Sequence, residues 1–274
     1  YIDGVPHIRQ KPDFCGEACA AMWLQKLGLD VDQDLVFDRS GLDPLRARGC
    51  HTPELARALA RMGLTVGPVT YSVKPQRASA QLTGLWQRVR GDLRRDIGAI
   101  VCMRTAKDPA RATEHFRLLL GYDAAKDEIL FHEPARAKGA DQRMARKDFL
   151  ALWPLKYRKD RWTVVWIRLA GKPKRLDKAS PGFTNADFCQ HIMRIQPLVP
   201  REGFTLALAP PFVVVGDEPA AVVRRRAEHT VAWATVRLKA LYFDRDPPHI
   251  YTIWLFRNKK SYRKHSEAIF GEKP

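Results

Sequence analysis

Long hydrophobic runs are absent from this 274-residue chain. Crossing a bilayer takes roughly 18 to 20 consecutive apolar residues, and the longest apolar stretches, 97–103 and 212–215, are far shorter. The sequence therefore predicts no membrane span. Tyr1 stands where an initiator Met is expected, and no charged and apolar leader precedes it. We expect a processed or trimmed chain with an extracytoplasmic or secreted location after signal removal.

Cysteine is also scarce, with five residues in the whole chain. Five are too few for a disulfide scaffold, and an odd number leaves at least one thiol unpaired within the chain. A spare thiol is a candidate nucleophile. Internal repeats and low-complexity tracts are absent too, whereas hydrophobic residues make up 45% of the chain. That content supports one large packed domain or two ordinary ones and excludes general disorder.

Acidic residues are outnumbered, with 30 Asp and Glu against 47 Lys and Arg and a net charge of +17. The excess is spread along the chain, because the first 170 residues carry 29 basic and 20 acidic residues and the last 104 carry 18 and 10. The short basic clusters are not interleaved with aromatics, and no nucleic-acid-binding motif occurs. We expect no specific nucleic-acid partner. The basic faces are either simply solvated or attract an anionic surface or polymer.

Helical patterns come first in the chain, and short apolar strands follow. The spacing of apolar residues with Pro and Gly boundaries predicts helices at 15–27, 52–63, 78–95 and 147–153, and strands at 98–104, 115–122, 128–133 and 162–169. This order predicts an α+β domain over residues 1–170, with N-terminal helices and an antiparallel sheet.

A polar segment rich in Pro and Gly, 171–182, predicts a linker. Beyond it we expect a smaller α/β domain over 183–274. Its patterns predict helices at 185–195, 219–242 and 261–270 and strands at 212–215 and 250–256.

Residues 10–19, with the sequence QKPDFCGEAC, carry the clearest chemistry. Cys15 opens a predicted helix, where free backbone N–H groups and the helix dipole favour a thiolate. Gly16 leaves room for a substrate chain beside the sulfur. Gln10 carries an amide that could donate to an oxyanion formed at the sulfur.

A thiol nucleophile needs a base, and the base needs a group that orients it. His115 begins the apolar strand HFRLLLGYD, and the next strand ends in His132-Glu133-Pro134. A turn at 123–127 joins the two strands. Antiparallel pairing would then bring Glu133 beside His115.

Together, Gln10, Cys15-Gly16-x-Ala18-Cys19, His115-Phe116, a Gly-Tyr-Asp turn and an acidic residue before Pro resemble the papain-like cysteine peptidases over about residues 4–168. They are most similar to the group with the bacteriocin leader-processing, double-glycine-cleaving peptidase domains. The resemblance implies hydrolysis of a peptide or protein through a thiolate–imidazolium pair, without a cofactor. It implies the following catalytic residues: Cys15 as nucleophile, His115 as general base and acid, Gln10 as oxyanion donor and Glu133 as orienter.

Two features depart from that family. It usually has Asp at the orienter position, whereas Glu133 is one methylene longer. Its leader peptidases are commonly fused to membrane transporters, and no such segment occurs here. Two alternatives therefore stay open: an inactive, peptide-binding relative, or a basic adaptor that binds an anionic polymer or surface.

The cysteines also allow other uses. Cys15, Cys19, Cys50 and His51 could form a zinc site, although Cys19 lies inside a predicted helix, which is unusual for a structural zinc ligand. A Cys19–Cys50 disulfide is a further hypothesis, since papain-like folds tolerate a disulfide near the nucleophile helix.

The C-terminal part, through 211–218 and 251–256, resembles the region before the catalytic helix of gluzincin zinc metallopeptidases. The His-Glu-x-x-His motif is absent, since His132-Glu133-Pro134 and His265-Ser266-Glu267 lack the second His. We therefore expect no metal. The C-terminal domain is interpreted either as a truncated metallopeptidase-like N-terminal region or as an accessory module.

Overall fold

The computed structural model describes residues 1–108, 110–174 and 182–271. The chain divides into two compact units, Tyr1–Leu42 with Gly49–Lys178 and Asp43–Arg48 with Ala179–Pro274. Residues 175–181 of the predicted linker lie outside the described residues. The assignment of the short segment Asp43–Arg48 to the second unit is not indicated by the sequence pattern.

The first unit combines helices with one antiparallel sheet. Its helices are α1 (Cys15–Lys26), α2 (Gln33–Ser40), α3 (Thr52–Arg61), α4 (Ala78–Leu93) and α5 (Arg146–Leu152). Its strands are β1 (Thr70–Val73), β2 (Ala99–Arg104), β3 (Glu114–Asp123), β4 (Glu128–His132), β5 (Gln142–Ala145) and β6 (Trp162–Arg168). The predicted α+β class is confirmed. The sequence pattern missed α2, β1 and β5. No helix in the described ranges is both long and apolar enough to span a bilayer.

The described strands of this unit form a six-stranded sheet in the order β1-β6-β2-β3-β4-β5, with every pair antiparallel. In the β3–β4 pair, Leu118 faces His132. Continuing that register by one residue sets Glu133 opposite Arg117. Because alternate residues share a face of a strand, His115 and Arg117 lie on the same face as Glu133.

Helix α1 packs against the sheet through an almost wholly buried length, from Gly16 to Leu24. Two glycines permit this close approach. A Cβ on Gly98 would lie 2.5 Å from the ring of Trp23, and a Cβ on Gly16 would lie 3.1 Å from the ring of Phe116. The amino-terminal end of α1 is therefore held directly against β3.

The second unit contains α6 (Asn185–Ile195), α7 (Ala220–Arg226), α8 (Ala232–Leu241) and α9 (Lys259–Phe270), and β7 (Thr205–Ala209), β8 (Phe212–Gly216) and β9 (Tyr251–Leu255). The predicted long helix is α7 and α8, joined by a π-helical segment over Ala227–Val231. The strands form a sheet in the order β7-β8-β9, with β8 and β9 parallel. Strand β7 is absent from the sequence prediction.

A hydrophobic cluster packs against each face of this three-stranded sheet. On one face, Phe188 and Ile192 of α6 pack with Val213 and Val215, and Leu45 and Ala47 from the early segment Asp43–Arg48 pack against them. On the other face, an apolar cluster joins the same sheet to α7 and the π-helical segment, with members Ala207, Ala209, Val214, Val223 and Ala227. The early segment is thus part of the core of the second unit.

The first turn of α1 buries a carboxylate. Glu17 is fully buried, and its Oε1 accepts a hydrogen bond from the Cys50 backbone N–H at 2.6 Å. Its Oε2 has no hydrogen-bond partner among the described residues. Burial raises the pKa of Glu17 to about 7, and hydrogen bonds from Cys50 and from the Glu17 backbone oppose that rise only in part.

We expect Glu17→Gln to stabilise the protein at about pH 8. Because the folded-state pKa lies above the ordinary 4.5, ionisation of Glu17 lowers the free energy of unfolding as pH rises from about 4.5 to about 7. Gln has no charge to bury, so urea unfolding should show a gain of about 3 kcal/mol at about pH 8 and little change at about pH 4. The exposed Glu202→Gln serves as control. A Glu17→Gln variant that is no more stable than wild type at pH 8 contradicts the prediction.

Candidate active site

Cys15 is the first residue of α1, and its sulfur lies beside the beginning of β3. The backbone N–H groups of Phe116 and Gly16 both donate to this sulfur. Phe116 directly follows His115, so the structure places the thiol next to the strand position that carries the predicted base. All five cysteines are described as free thiols; Cys15 is partly exposed and the other four are buried. Cys15 is therefore the thiol that a substrate can reach.

The resting thiol is not acidic. Burial raises the pKa of Cys15 to about 12, and the negative charges of Glu17 and Asp13 add to the rise, against the two backbone N–H groups that lower it. The helix argument correctly predicts the Gly16 N–H donor, whereas the Phe116 donor belongs to β3. Its conclusion, a depressed pKa, is wrong for the resting site because burial outweighs those donors. The thiol thus needs a base that removes its proton during attack.

His115 and Glu133 are in direct contact. The Nε2 atom of His115 hydrogen-bonds Oε1 of Glu133, as the predicted antiparallel pairing of the two strands implies. Glu133 is only 4% exposed. Its Oε1 also accepts from the Ala135 backbone N–H at 3.1 Å, and its Oε2 accepts from Nε of Arg117 at 2.6 Å. Both carboxylate oxygens are therefore fixed.

Glu133 stays ionised despite its burial. Burial alone would raise its pKa, but the hydrogen bond from His115 and the positive charge of Arg117 outweigh that effect and lower the pKa to about 2. A carboxylate that keeps its charge holds the imidazole in one orientation and stabilises the imidazolium that forms when the ring accepts a proton. Because Nε2 is engaged, Nδ1 is the ring nitrogen left to receive a proton.

Arg117 belongs to the site, and sequence reasoning missed it. Its side chain is 10% exposed, its guanidinium lies 5.6 Å from the centre of the Phe131 ring, and its Nη1 has no acceptor among the described residues. A buried arginine needs a carboxylate partner, and Glu133 provides it. The available signal was a basic residue two positions after His115 in an otherwise apolar strand, on the same face.

Gln10 is tied to the turn that carries the carboxylate. Its backbone N–H donates to the carbonyl oxygen of Pro134 at 2.9 Å. The loop that carries Gln10 is therefore hydrogen-bonded to the residue directly after Glu133. The side-chain Oε1 of Gln10 is buried and has no hydrogen-bond partner among the described residues. The role of Gln10 as an oxyanion donor stays a prediction.

The backbone around Glu133 is packed tightly. Its N–H donates to the carbonyl of Gly139 at 2.8 Å, and Nε2 of His7 donates to its carbonyl oxygen at 3.0 Å. A Cβ on Gly139 would lie 1.9 Å from that same oxygen, so only glycine fits there. These contacts fix the position from which the carboxylate reaches His115.

The Cys19–Cys50 disulfide hypothesis is wrong for this structure, because both residues are free thiols. Glu17 lies near both, whereas Arg117 and Glu133 lie near Cys19 and the Ser40 side chain hydrogen-bonds Cys50. Within the described ranges, no three His, Cys, Asp or Glu side chains are grouped as metal ligands.

The chain was compared with solved structures, with curated protein sequences and with models of protein families. Two solved structures match part of the chain. A protein described as a C39-like peptidase, from Bacillus anthracis, is 14% identical with a TM-score of 0.42, over 62% of this chain and 96% of that one. The peptidase domain of Streptococcus ComA, a bi-functional ABC transporter involved in a quorum-sensing pathway, is 14% identical with a TM-score of 0.38, over 59% of this chain and 98% of that one.

No curated protein sequence matches the chain. The model of the Peptidase_C39 like family matches residues 2–160, which include Gln10, Cys15, His115 and Glu133. The matched range ends before the C-terminal part of the second unit, and the resemblance of that part to gluzincin metallopeptidases stays a prediction. Since the match spans more than half of the 274 residues, the chain belongs to the Peptidase_C39-like family.

Proposed function

We propose that this protein is a cysteine peptidase that hydrolyses peptide bonds with Cys15 as the nucleophile. The observation that carries the proposal is the buried Glu133–His115 pair, set beside a partly exposed thiol at the amino-terminal end of α1. A base oriented by a carboxylate next to a thiol is the arrangement that acyl transfer to sulfur requires.

In the proposed reaction, Nδ1 of His115 removes the proton of the Cys15 thiol as the sulfur attacks the substrate carbonyl carbon. A carbon–sulfur bond forms, and the carbonyl electron pair moves to oxygen. The backbone N–H of Cys15 and the amide of Gln10 donate to that oxyanion. His115 then gives its proton to the leaving amine as the carbon–nitrogen bond breaks, which leaves a thioester. His115 next takes a proton from water, which attacks the thioester and releases the acid and the thiol.

A protonated resting thiol fits general-base catalysis. The raised pKa of Cys15 keeps the sulfur neutral until a substrate is present, so the thiolate–imidazolium pair forms during attack. Glu133 remains charged throughout and balances the imidazolium. This sequence of events differs from the preformed ion pair that the family resemblance implies.

The net charge of the protein indicates the charge of the peptide segments that it prefers. A net charge of +17 favours peptides or proteins with acidic segments over basic ones. An extracytoplasmic location and docking on an anionic polymer or surface stay predictions.

The first test is hydrolysis by active-site variants. With a mixture of unfolded proteins as substrate and new amino termini quantified by mass spectrometry, Cys15→Ala should lose all cleavage, and His115→Ala should lose about 10³-fold or more. The exposed His229→Ala in the second unit is the control and should cleave like wild type. Equal cleavage by Cys15→Ala and wild type would exclude the proposed nucleophile.

The second test is the pH dependence of alkylation. Because the Cys15 pKa is about 12, its thiolate fraction should rise about tenfold per pH unit between about pH 6 and 9. Iodoacetamide labelling of the Cys15 peptide, followed by mass spectrometry, should therefore accelerate with pH throughout that range. Glutathione is the reference, since a free thiol levels off near its own pKa of about 8.5. A rate at Cys15 that is constant from pH 6 to 8 would instead show a preformed thiolate.

The third test concerns the orienter. Glu133→Gln replaces a carboxylate that accepts from His115 with an amide that can donate to it, so the imidazole should adopt the wrong tautomer and kcat should fall about 10³- to 10⁴-fold. Arg117→Gln leaves the Glu133–His115 bond possible, so we expect a smaller loss of about tenfold. Glu128→Gln, at the start of β4, is the matched control. Circular dichroism establishes that each variant is folded. A Glu133→Gln variant with unchanged kcat would remove Glu133 from the mechanism.

A further inference from the structure

A second concave site lies in the first unit, among β1, β6, α4 and the loop before β1. We call it the arginine cleft. It has a volume of about 410 Å³, and its side chains include Tyr71, Arg88, Asp92, Arg95, Trp166 and Arg168. Arg168 pairs with Ala99 at one end of β2, whereas His115 pairs with Met103 near the other end. The arginine cleft therefore lies toward the opposite end of the sheet from His115.

The arginine cleft carries an excess of positive charge. Asp92, with its side chain 4% exposed, accepts from Arg95 at 2.6 Å and from Arg168 at 2.8 Å. These bonds tie α4 to β6 and have a structural role. Arg88, however, has no carboxylate partner in the part of the chain that the structure describes. The side chains of the cleft thus include three guanidinium groups and a single carboxylate.

Arg88 is held in place by aromatic faces. Its guanidinium lies 5.3 Å from the ring centres of both Tyr71 and Trp166, and these two rings stack on each other at 5.6 Å. Contact with ring faces restrains the plane of a guanidinium but leaves the N–H groups at its edge free to donate. The group is therefore oriented before any acceptor arrives.

A buried donor in the same cleft lacks an acceptor. Trp166 is 3% exposed, and its indole N–H has no hydrogen-bond partner among the described residues. A buried donor without an acceptor is unfavourable, and such groups are rare in folded proteins. An oxyanion is the type of acceptor that suits both this N–H and the guanidinium edge of Arg88, because each of its oxygens has more than one lone pair.

From the charge excess, the restrained Arg88 and the unpaired Trp166 donor, we propose that the arginine cleft binds a small ligand through an oxyanion group, either a phosphate or a carboxylate. The inference does not depend on peptidase activity.

The test follows the indole N–H signal of Trp166 by ¹⁵N–¹H NMR on the full chain, with the signal assigned from Trp166→Phe. Sodium phosphate and sodium acetate are titrated separately at constant ionic strength set with sodium chloride. We expect a saturable shift of the Trp166 signal. Saturation by phosphate alone identifies a phosphate site, and saturation by acetate alone identifies a carboxylate site.

Matched arginine variants separate a site from general attraction. Arg88→Gln should weaken binding at least about tenfold, as expected for the loss of a charged hydrogen-bonding group. Arg90→Gln removes the same charge from the same helix, but Arg90 packs on Tyr122 outside the cleft, so binding should change less than about twofold. Should Arg88→Gln fail to fold, Arg88→Lys keeps the charge, loses the planar edge and should also bind more weakly. Absence of saturation with both anions, or equal weakening by the Arg88 and Arg90 variants, overturns the proposal.

Discussion

Antiparallel pairing of β3 with β4 brings an imidazole, a guanidinium and a carboxylate to one face of the sheet. The register that sets Leu118 against His132 also sets Glu133 opposite Arg117 and beside His115. Because side chains alternate between faces, a slip of one residue would turn Glu133 to the opposite face and leave Arg117 buried without its carboxylate. The charge pairing and the strand register thus stabilise each other, and the position of the base depends on both.

The longer acidic residue suits this arrangement. One oxygen of Glu133 accepts from the imidazole while the other accepts from the guanidinium, so a single carboxylate serves two hydrogen-bond donors. Arg117 and His115 together lower the pKa of Glu133 against the effect of burial. At Cys15, burial outweighs the two backbone N–H donors and raises the pKa of the thiol. Glu133 is therefore ionised and Cys15 neutral because their interaction partners differ.

Much of this site is predictable from the sequence. Helix α1 and strands β3 and β4 carry strong local signals, namely helical apolar spacing after Cys15 and short apolar runs around a polar turn. The contact between His115 and Glu133 follows from pairing those runs. Arg117 was missed because a basic residue is usually exposed, and only the burial of its neighbours shows otherwise. Strand β1 was missed because it is short and half-exposed, so it lacks a continuous apolar run. The pKa of Cys15 depends on tertiary burial, which local spacing does not encode.

The segment Asp43–Arg48 has a consequence for how the chain can assemble. It lies between α2 and α3, yet Leu45 and Ala47 pack in the core built by α6 and β8. During ribosomal synthesis this segment emerges long before those partners exist, so the order of synthesis and the order of packing differ. Leu45 and Ala47 can pack into this core only after α6 and β8 have been synthesised. The second unit therefore needs a segment that lies within the sequence of the first unit. A gene cut at the predicted linker would remove Asp43–Arg48 from the core of the second unit.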